Sequence, residues 1–360
     1  MKGETVYLCL QPKEENSYWA DRILEGIRSG IKELGLKLFF LDPNHVLPEV
    51  RGRYVLVSGS RIDWLQTTVF LLLEKGAHPI IVNACMLPFR SLRCSGVVFE
   101  LEEILESCLN ALKEKGKKRV ALLGVRRDSA SDHAKVSAFE SSFASFEKQE
   151  ILWAEKDVAN CVSLFSESLA KEKYDAVICA NDTVAVHLLK EHPLSGVDVI
   201  GIGNSYLGAG IGLSSICFDY YEMGKAGVSL YQILSAKKEN CHVIVSLPCY
   251  FENRNSARLS LCSSPAAAKQ TASENQDYFR HPDVENMIRI EAIFQSGDEV
   301  DRAILYGIAR GESVEKISSK LYFSDRAIRY RLTKLVKRYG FSGRGELEET
   351  LKQVFFLKNK

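Results

Sequence analysis

The sequence predicts an α/β protein in which a two-lobed unit of parallel β-sheets, covered by helices, is followed by an all-α domain. Short apolar runs alternate with longer amphipathic ones over most of the chain, a pattern typical of parallel sheets covered by helices. There are more of these runs than one modest sheet holds, which favours two similar lobes. The strand pattern then stops, and from Pro282 to Lys360 the apolar residues recur at helical spacing.

Each predicted strand is a short apolar or β-branched run, and each predicted helix has apolar residues three and four positions apart, as at Ile23, Ile27 and Ile31. The predicted strands are Val6–Leu10, Leu38–Leu41, Tyr54–Val57, Pro79–Val82, Gly96–Phe99, Arg119–Leu123, Ala176–Cys179 and Val197–Gly201. The helices between them are Ser17–Leu34, Trp64–Lys75, Leu101–Lys115, Ala134–Ser145 and Thr183–Lys190.

A small, polar, aperiodic segment divides the chain. The stretch SSPAAAKQTASEN is typical of a flexible linker, so we expect a two-lobed domain in 1–262, a linker in 263–277 and a helical domain in 278–360. In the helical domain, the stretch from Val284 to Phe294 brings several apolar side chains together. This helix either dimerises or packs against the two-lobed domain.

Composition excludes several classes of protein. The ten cysteines include no C-x-x-C pair, which argues against a zinc site or a disulfide framework and for a reducing compartment. The first apolar run, Val6–Leu10, is too short for a signal peptide, and no apolar stretch approaches the length of a membrane span. We expect a soluble, cytoplasmic protein that has no membrane partner, no cofactor and no metal.

No catalytic constellation is evident, so we do not expect an enzyme. The seven histidines show no metal-ligand spacing, and no acid–base pair or nucleophile–base arrangement stands out. The glycine-rich stretch Gly208–Gly212 superficially resembles a phosphate loop. It lies far from the first strand and opens no convincing helix, so we interpret it as a mobile loop.

Several short motifs of the two-lobed domain resemble those of a known family. They are, in order, Asn16–Trp19 with Leu24–Ile27, Tyr174–Asp182, Val199–Asn204, Leu213–Ile216 with Tyr221–Gly224, and Arg254–Ser256. In this order and spacing they resemble the sugar-sensing domain of LacI/GalR-type regulators, which has the periplasmic-binding-protein-like fold. The resemblance covers about residues 4–260.

The resemblance implies a ligand cleft between the lobes, near the carboxyl ends of their strands. The implied ligand-binding candidates are Ser17, Tyr18, Trp19, Lys135, Asp182 and Asn204. Aromatic rings offer a stacking face to a sugar or nucleoside-like effector, while carboxylate and amide groups satisfy its polar edge. Structural roles remain open as alternatives. Tyr18 or Trp19 holds the first helix against the sheet, Asp182 caps the helix that follows it, and Lys135 lies on the surface.

The C-terminal region concentrates positive charge. Residues 299–344 hold eleven Lys/Arg and five Asp/Glu, a local charge of +6 in a chain whose net charge is +1. Gly311 can end one helix, and Ser313 and Ser324 can cap the two that follow. The predicted helices are Glu299–Arg310, Val314–Leu321 and Ser324–Arg338. Such segregation of charge is what attraction to nucleic-acid phosphates requires.

Three segments of this region resemble the LuxR-type helix-turn-helix, over about 299–356. They are Gly311–Ser318, Leu321–Ile328 and Leu335–Arg344. The resemblance implies that the N-terminal half of the third helix enters the major groove of double-stranded DNA. The implied DNA-binding residues are Ser324, Arg326, Arg329, Tyr330, Arg331, Thr333, Lys334 and Lys337. We expect Arg329, Tyr330 and Thr333 to face base edges and the other cations to hold phosphates. The alternative is a solvated cationic face on a helical bundle.

Together these observations predict a ligand-responsive, DNA-binding transcription regulator that acts as a homodimer. A small molecule in the interlobe cleft would change how two chains pair, and hence how two DNA-binding helices are spaced. One alternative is a small-molecule sensor that acts through protein partners rather than DNA. Another is an enzyme that uses the cleft.

Overall fold

The computed structural model of the chain describes residues 4–12, 18–45, 50–86, 89–92, 94–142, 146–171, 173–192, 194–236, 241–261 and 281–355. The predicted linker 263–277 lies outside these residues. The described residues form two six-stranded sheets covered by helices, followed by five C-terminal helices. The predicted fold class is therefore confirmed.

The first lobe, lobe 1, is built on a six-stranded sheet. Its strands are β1 (Thr5–Leu10), β2 (Lys37–Phe40), β3 (Tyr54–Ser58), β4 (His78–Val82), β5 (Ser95–Phe99) and β11 (Ile244–Leu247). Its helices are α1 (Tyr18–Leu34), α2 (Ile62–Glu74) and α8 (Tyr220–Ala236). The strands lie in the order β11-β5-β4-β3-β1-β2, and every neighbouring pair is parallel. Strand β5 is buried along its whole length, which is why it forms a continuous apolar run in the sequence.

Helices α1 and α8 pack closely because glycines face each other across their contact. A Cβ added at Gly26 would lie 2.0 Å from the carbonyl oxygen of Tyr221, and one added at Gly224 would lie 2.1 Å from that of Ile23. No side chain fits at either position. The two helices belong to widely separated parts of the chain, so this contact holds lobe 1 together.

The second lobe, lobe 2, repeats the arrangement. Its strands are β6 (Arg119–Val125), β7 (Lys148–Trp153), β8 (Ala176–Cys179), β9 (Asp198–Ile202), β10 (Ser214–Cys217) and β12 (Tyr250–Glu252). Its helices are α3 (Leu101–Glu114), α4 (Ala130–Ser141), α5 (Val158–Lys171), α6 (Asp182–Glu191) and α7 (Tyr206–Gly210). The strand order is β12-β10-β9-β8-β6-β7, and β12 runs antiparallel to β10.

The structure corrects two predictions in lobe 2. The helix predicted at Ala134–Ser145 begins earlier, at Ala130, because the Ser129 hydroxyl accepts a hydrogen bond from the Asp132 amide and caps it. Part of the glycine-rich stretch expected as a loop belongs to the short helix α7, which Ser205 caps.

The C-terminal helices are α9 (Pro282–Ser296), α10 (Glu299–Ala309), α11 (Val314–Leu321), α12 (Asp325–Arg338) and α13 (Arg344–Val354). The predicted caps are present. The Ser313 hydroxyl accepts a hydrogen bond from the Lys316 amide, and the Ser324 hydroxyl accepts one from the Ala327 amide. Between them, Tyr322 ends α11 in the left-handed conformation, with φ 59°. These caps fix the turn between α11 and α12, and hence the direction of α12.

The C-terminal helices pack on lobe 2 through α9. Ile290 and Phe294 are fully buried, in the same apolar core as Leu188 of α6. An ion pair between Lys190 Nζ and Asp283 Oδ2, 2.6 Å apart, joins the two bodies at the start of α9. Of the two roles left open for this helix, packing on the two-lobed domain is the one that the structure shows.

Candidate functional site

The two lobes meet at the carboxyl ends of their strands. The loop after β3 contacts the loop after β6: the Ala130 amide donates to the Ser60 carbonyl at 3.0 Å, and the Ile62 amide donates to the Asp128 carbonyl at 2.9 Å. The side-chain oxygen of Gln11, at the end of β1, accepts a hydrogen bond from the Ser60 amide at 3.0 Å. Direct hydrogen bonds therefore close the cleft along this edge.

A tight turn, the 204–207 turn, follows β9. Asn204 begins it with φ 52°, a conformation that asparagine tolerates better than most residues, and donates its amide to the Ser215 hydroxyl at 2.9 Å. The Ser205 amide donates to Asp182 Oδ2 at 2.5 Å, and the Ser215 hydroxyl donates to Asp182 Oδ1 at 2.6 Å. The Asp182 carboxylate is only 3% exposed. It therefore holds the backbone of the turn in place.

The second half of the 204–207 turn is held by the C-terminal helices. Glu291 of α9 is 3% exposed and accepts hydrogen bonds from the Tyr206 amide at 2.8 Å and the Leu207 amide at 2.7 Å. Burial raises the pKa of the Glu291 carboxyl from 4.5 to about 7 against these hydrogen bonds, and the negative charge of Asp182 acts in the same direction as burial. Two buried carboxylates, one from each body, thus hold one turn.

A cavity of about 1000 Å³ opens beside this turn, and we call it the three-way cavity. Its walls come from three bodies. Lobe 1 contributes Tyr18 and Arg22 of α1, lobe 2 contributes Asn204 and Arg254, and the C-terminal helices contribute side chains that include Arg302 of α10. The cavity is larger than the volume that a typical small molecule needs.

The ligand-binding candidates do not all reach this cavity. Tyr18 and Asn204 line it. Trp19 is only 8% exposed and belongs to the apolar core, and Ser17 lies outside the described residues. Asp182 neither lines the cavity nor caps α6, whose cap is the neighbouring asparagine, and instead supports the turn from behind.

Lys135 is buried, contrary to the surface alternative. Its ammonium lies 2.6 Å from the Asp132 carboxylate, and both side chains are at least nine-tenths buried. Asp132 also accepts a hydrogen bond from the Arg126 amide at the end of β6. An ammonium engaged in a buried ion pair has little freedom to reach a ligand, because its departure would leave the Asp132 charge buried and unpaired.

Sequence reasoning missed several polar groups at the carboxyl ends of the strands. Ser58 ends β3 and Asn83 follows β4; the Ser58 hydroxyl and the Asn83 side-chain nitrogen are buried and have no hydrogen-bond partner among the described residues. Arg254 donates to the carbonyl of Leu213 at 2.7 Å and to Asn204 Oδ1 at 2.6 Å. A polar residue directly after an apolar strand was the signal that would have identified Ser58 and Asn83.

Helix α12 has one buried and one exposed face. Ile328, Leu332 and Leu335 are at most 6% exposed and pack against the other C-terminal helices. The predicted DNA-binding residues on the exposed face are Ser324, Arg326, Arg329, Tyr330, Thr333, Lys334 and Lys337. Tyr330 is 71% exposed, so the centre of this face is open to a partner.

Arg331 occupies a different place from its predicted neighbours. It is only partly exposed, and its guanidinium bonds Asp298 at 2.8 Å and Asp301 at 2.7 Å, both at the start of α10. These two carboxylates neutralise its charge and orient α12 on α10. We therefore assign Arg331 to positioning the helix rather than to phosphate contact. Among the described residues, the recorded ion pair of Arg329 is with Glu315 at 3.1 Å, and both side chains of that pair are largely exposed.

Two aromatic side chains extend the exposed face toward α11. Tyr322 is 96% exposed and Phe323 is 39% exposed, in the turn that precedes α12. Exposed aromatic rings beside cations are typical of surfaces that bind another macromolecule. The sequence interpretation used these residues only as part of a motif.

The described residues contain no group of three or more His, Cys, Asp or Glu side chains placed to hold a metal ion. The described helices also include none with the length and apolar character that a membrane crossing requires.

Comparison with solved structures identifies the fold of the two lobes. The transcriptional regulator CelR in complex with cellobiose superposes with a TM-score of 0.58 at 17% identity, covering 71% of this chain and 86% of that one. The lac repressor dimer bound to operator and the anti-inducer ONPF gives a TM-score of 0.57 at 14% identity, over 71% and 94%. A LacI family regulator from Enterococcus faecium with bound ribose gives 0.55 at 17%, over 71% and 99%. No protein-family model and no curated protein sequence matches the chain. The two lobes have the periplasmic-binding-protein-like fold of LacI-family sensor domains.

Proposed function

We propose that this chain is a ligand-responsive, DNA-binding transcription regulator. The observation that carries the proposal is the exposed cationic face of α12, a helix capped at Ser324, oriented by Arg331 and packed beside α11 as in a helix-turn-helix. The fold of the two lobes supports the sensing half, because structures of the same fold are described with bound cellobiose and ribose. The resemblance of 299–356 to the LuxR-type motif supports the DNA-binding half.

The proposed interface places the N-terminal half of α12 in the major groove. Arg329, Tyr330 and Thr333 face base edges, and Arg326, Lys334 and Lys337 contact phosphates on either side. Ser324 contributes by capping the helix, since its hydroxyl accepts a hydrogen bond from the Ala327 amide. Because α12 has an exposed face in this structure, DNA can bind without prior release of the C-terminal helices from lobe 2.

The proposed effector is a sugar or nucleoside-like molecule in the cleft between the lobes, and the protein acts as a cytoplasmic homodimer. The C-terminal helices grip lobe 2 through Glu291 and through the Lys190–Asp283 ion pair. We expect them to move with lobe 2 when the cleft opens or closes. In a dimer, this motion would change the separation of two α12 helices, and operator affinity with it.

Salt-dependent binding of the full chain to duplex DNA tests the proposal. Fluorescence anisotropy with a labelled random-sequence duplex, between about 50 and 200 mM salt, should show affinity that falls steeply with salt. The Lys334→Gln and Lys337→Gln variants should each reduce the slope of log affinity against log salt by about 1. Lys352→Gln is the matched control, because Lys352 is an exposed lysine of α13 outside the proposed interface.

The same experiment separates the alternative. A sensor that acts through protein partners would show no affinity for duplex that depends on salt and on the α12 lysines. Unchanged slopes in both lysine variants would likewise contradict the proposed interface, whatever the affinity of the parent chain. Selection of bound sequences from a random duplex pool would then identify the operator.

A further inference from the structure

The three-way cavity has a wall that the sensor fold alone does not provide. Its lining includes Gln295 of α9, Arg302 of α10 and Arg338 at the end of α12. The last of these belongs to the helix that we propose binds DNA. One cavity therefore brings both lobes and the C-terminal helices within reach of a ligand.

Two arginines of this cavity have neutral hydrogen-bond partners. Arg254 bonds a backbone carbonyl and the Asn204 side-chain oxygen, and Arg302 bonds the Phe294 carbonyl at 2.8 Å and lies over the Tyr206 ring. All these acceptors are neutral. Within the described part of the chain, neither guanidinium forms an ion pair, in contrast to Arg331, which two carboxylates neutralise. Both are therefore fixed in place and still able to bind an anion.

The two guanidinium groups contact the same turn from different bodies. Arg254 of lobe 2 donates to Asn204 Oδ1 at 2.6 Å, and Arg302 of the C-terminal helices lies 4.8 Å from the ring centre of Tyr206, two residues further along the 204–207 turn. Both guanidinium groups line the three-way cavity. Arginines are suited to phosphate and carboxylate groups, because hydrogen bonds between charged partners are shorter and stronger than neutral ones and can be bidentate.

The cavity is also lined by carboxylates. Asp21 and Glu25 lie one turn apart on α1, and burial together with the charge of Glu25 raises the pKa of Asp21. Glu252 and Glu299 also line the cavity. These carboxylates accept hydrogen bonds from hydroxyl groups, so the cavity suits a molecule that carries hydroxyl groups in addition to its anionic group.

We propose that the three-way cavity is an effector site that binds a small molecule through a phosphate or carboxylate group held between Arg254 and Arg302. The regulatory role of the bound molecule rests on the proposed function, whereas the anion site itself does not depend on DNA binding. The bound anion joins lobe 2 to α10 directly. Ligand occupancy is thereby sensed by the DNA-binding helices themselves, without a signal passing through residues 263–277.

Binding of simple anions to the full chain tests the site. Isothermal titration with inorganic phosphate, and separately with succinate as the carboxylate probe, is performed at constant ionic strength maintained with chloride. We expect saturable binding of at least one probe, with Kd of about 1–10 mM, and the tighter probe identifies the head group. The Arg302→Gln variant should weaken that binding at least about tenfold, since one of the two charged forks is lost.

Three variants keep the result interpretable. Arg302→Lys retains the charge and should bind the probe more tightly than Arg302→Gln does. This partial recovery would show that Arg302→Gln weakens binding through the lost charge and not through loss of folding. Arg310→Gln removes an exposed arginine of the same region outside the cavity and should bind the probe like the parent chain. Arg254→Gln should weaken binding as Arg302→Gln does, which shows that both walls participate.

Failure of the site and failure of the proposed function give different results. If neither probe binds saturably, or if Arg302→Gln binds as tightly as the parent chain, the anion site is wrong even when duplex binding is normal. If the probe binds and depends on Arg302 while duplex binding is absent, the site stands and the regulator proposal fails. Slower amide hydrogen exchange in 282–309 on adding the probe is expected, and unchanged exchange there would overturn the bridging role.

Discussion

Replacing Glu291 by glutamine would isolate the free energy of burying a carboxylate between α9 and the 204–207 turn. Glutamine has nearly the same shape and is neutral at every pH, although its amide nitrogen cannot accept one of the two turn hydrogen bonds, which costs about 1–3 kcal/mol at every pH. Burial raises the pKa of the Glu291 carboxyl from 4.5 to about 7 in the docked state. Each unit of pKa corresponds to about 1.4 kcal/mol, so the charged side chain weakens docking by about 3 kcal/mol relative to the neutral one.

The sign of the pH dependence follows from proton uptake. Because the pKa of Glu291 is higher when α9 is docked than when it is exposed, docking takes up a proton between pH 4.5 and about 7. The stabilisation is fully present below pH 4.5 and is lost as the pH rises through about 7. The docking free energy of the parent chain should therefore weaken by about 3 kcal/mol between about pH 4 and about pH 8, whereas that of Glu291→Gln should not change through this side chain.

Amide hydrogen exchange of α9, corrected for the intrinsic pH dependence of exchange, measures this difference. A free-energy change of about 3 kcal/mol corresponds to a protection factor that falls about 100-fold further in the parent chain than in the glutamine variant between about pH 4 and about pH 8. The variant is the reference for every other titrating group, including His187, whose pKa burial lowers. If the protection factor of the parent chain fell no further than that of Glu291→Gln over this range, the reasoning would be refuted.

Three other predictions follow from the contacts of single residues. Arg329→Ala should weaken binding to a selected operator by about 1–3 kcal/mol, whereas Lys337→Ala should weaken binding to all duplexes alike. Anisotropy titrations against selected and random DNA measure this difference. Equal losses of affinity for selected and random DNA in Arg329→Ala would show that Arg329 does not recognise bases. Gly26→Ala places a Cβ 2.0 Å from a carbonyl oxygen of α8 and should lower the free energy of unfolding by about 3 kcal/mol in urea titrations. The control Arg28→Ala, on the exposed face of α1, should change the free energy of unfolding little. If Gly26→Ala were as stable as the parent chain, α1 and α8 could separate at low cost. Arg331→Gln removes two ion pairs with α10 and should lower the free energy of unfolding by about 1 kcal/mol at low salt and by less at high salt, again in urea titrations. A loss of stability that does not depend on salt would contradict an electrostatic role.

The sequence predicted most of the buried strands, because burial on both faces usually leaves a readable apolar run. It missed β10, which is buried along its length but begins with two serines. It missed β7, which lies at the edge of its sheet and is only partly buried along its length, so its sequence, KQEILW, has no such run. It also placed the start of α4 too late, since the first turn is polar and depends on the Ser129 cap. Local capping decides such boundaries, and a polar first turn hides them.

The site was harder to predict, because its residues are assembled from three bodies. Lys135 and Asp132 are three positions apart on one helix, and this spacing was the available sign of a buried pair rather than a free ligand-binding lysine. Glu291 gave a similar sign, since it lies at helical spacing from Met287 and Phe294, on the buried face of α9. By contrast, nothing in the sequence places Arg302 and Arg254 in the wall of one cavity, because this requires the docking of α10 on lobe 2.

The 204–207 turn explains how a small change in the cleft can reach α12. Four successive backbone amides of this turn are held by buried acceptors, the first two from lobe 2 and the last two from α9. A ligand that shifts Asn204 or Arg254 must therefore shift the backbone to which Glu291 is bound, and unpaired amides at this depth would cost about 1–3 kcal/mol each. Because α9 shares its apolar core with α10 and α12, the C-terminal helices must follow the turn as a unit. Coupling between effector and DNA is then expected to depend on Glu291 more than on the length of the chain between residues 261 and 281.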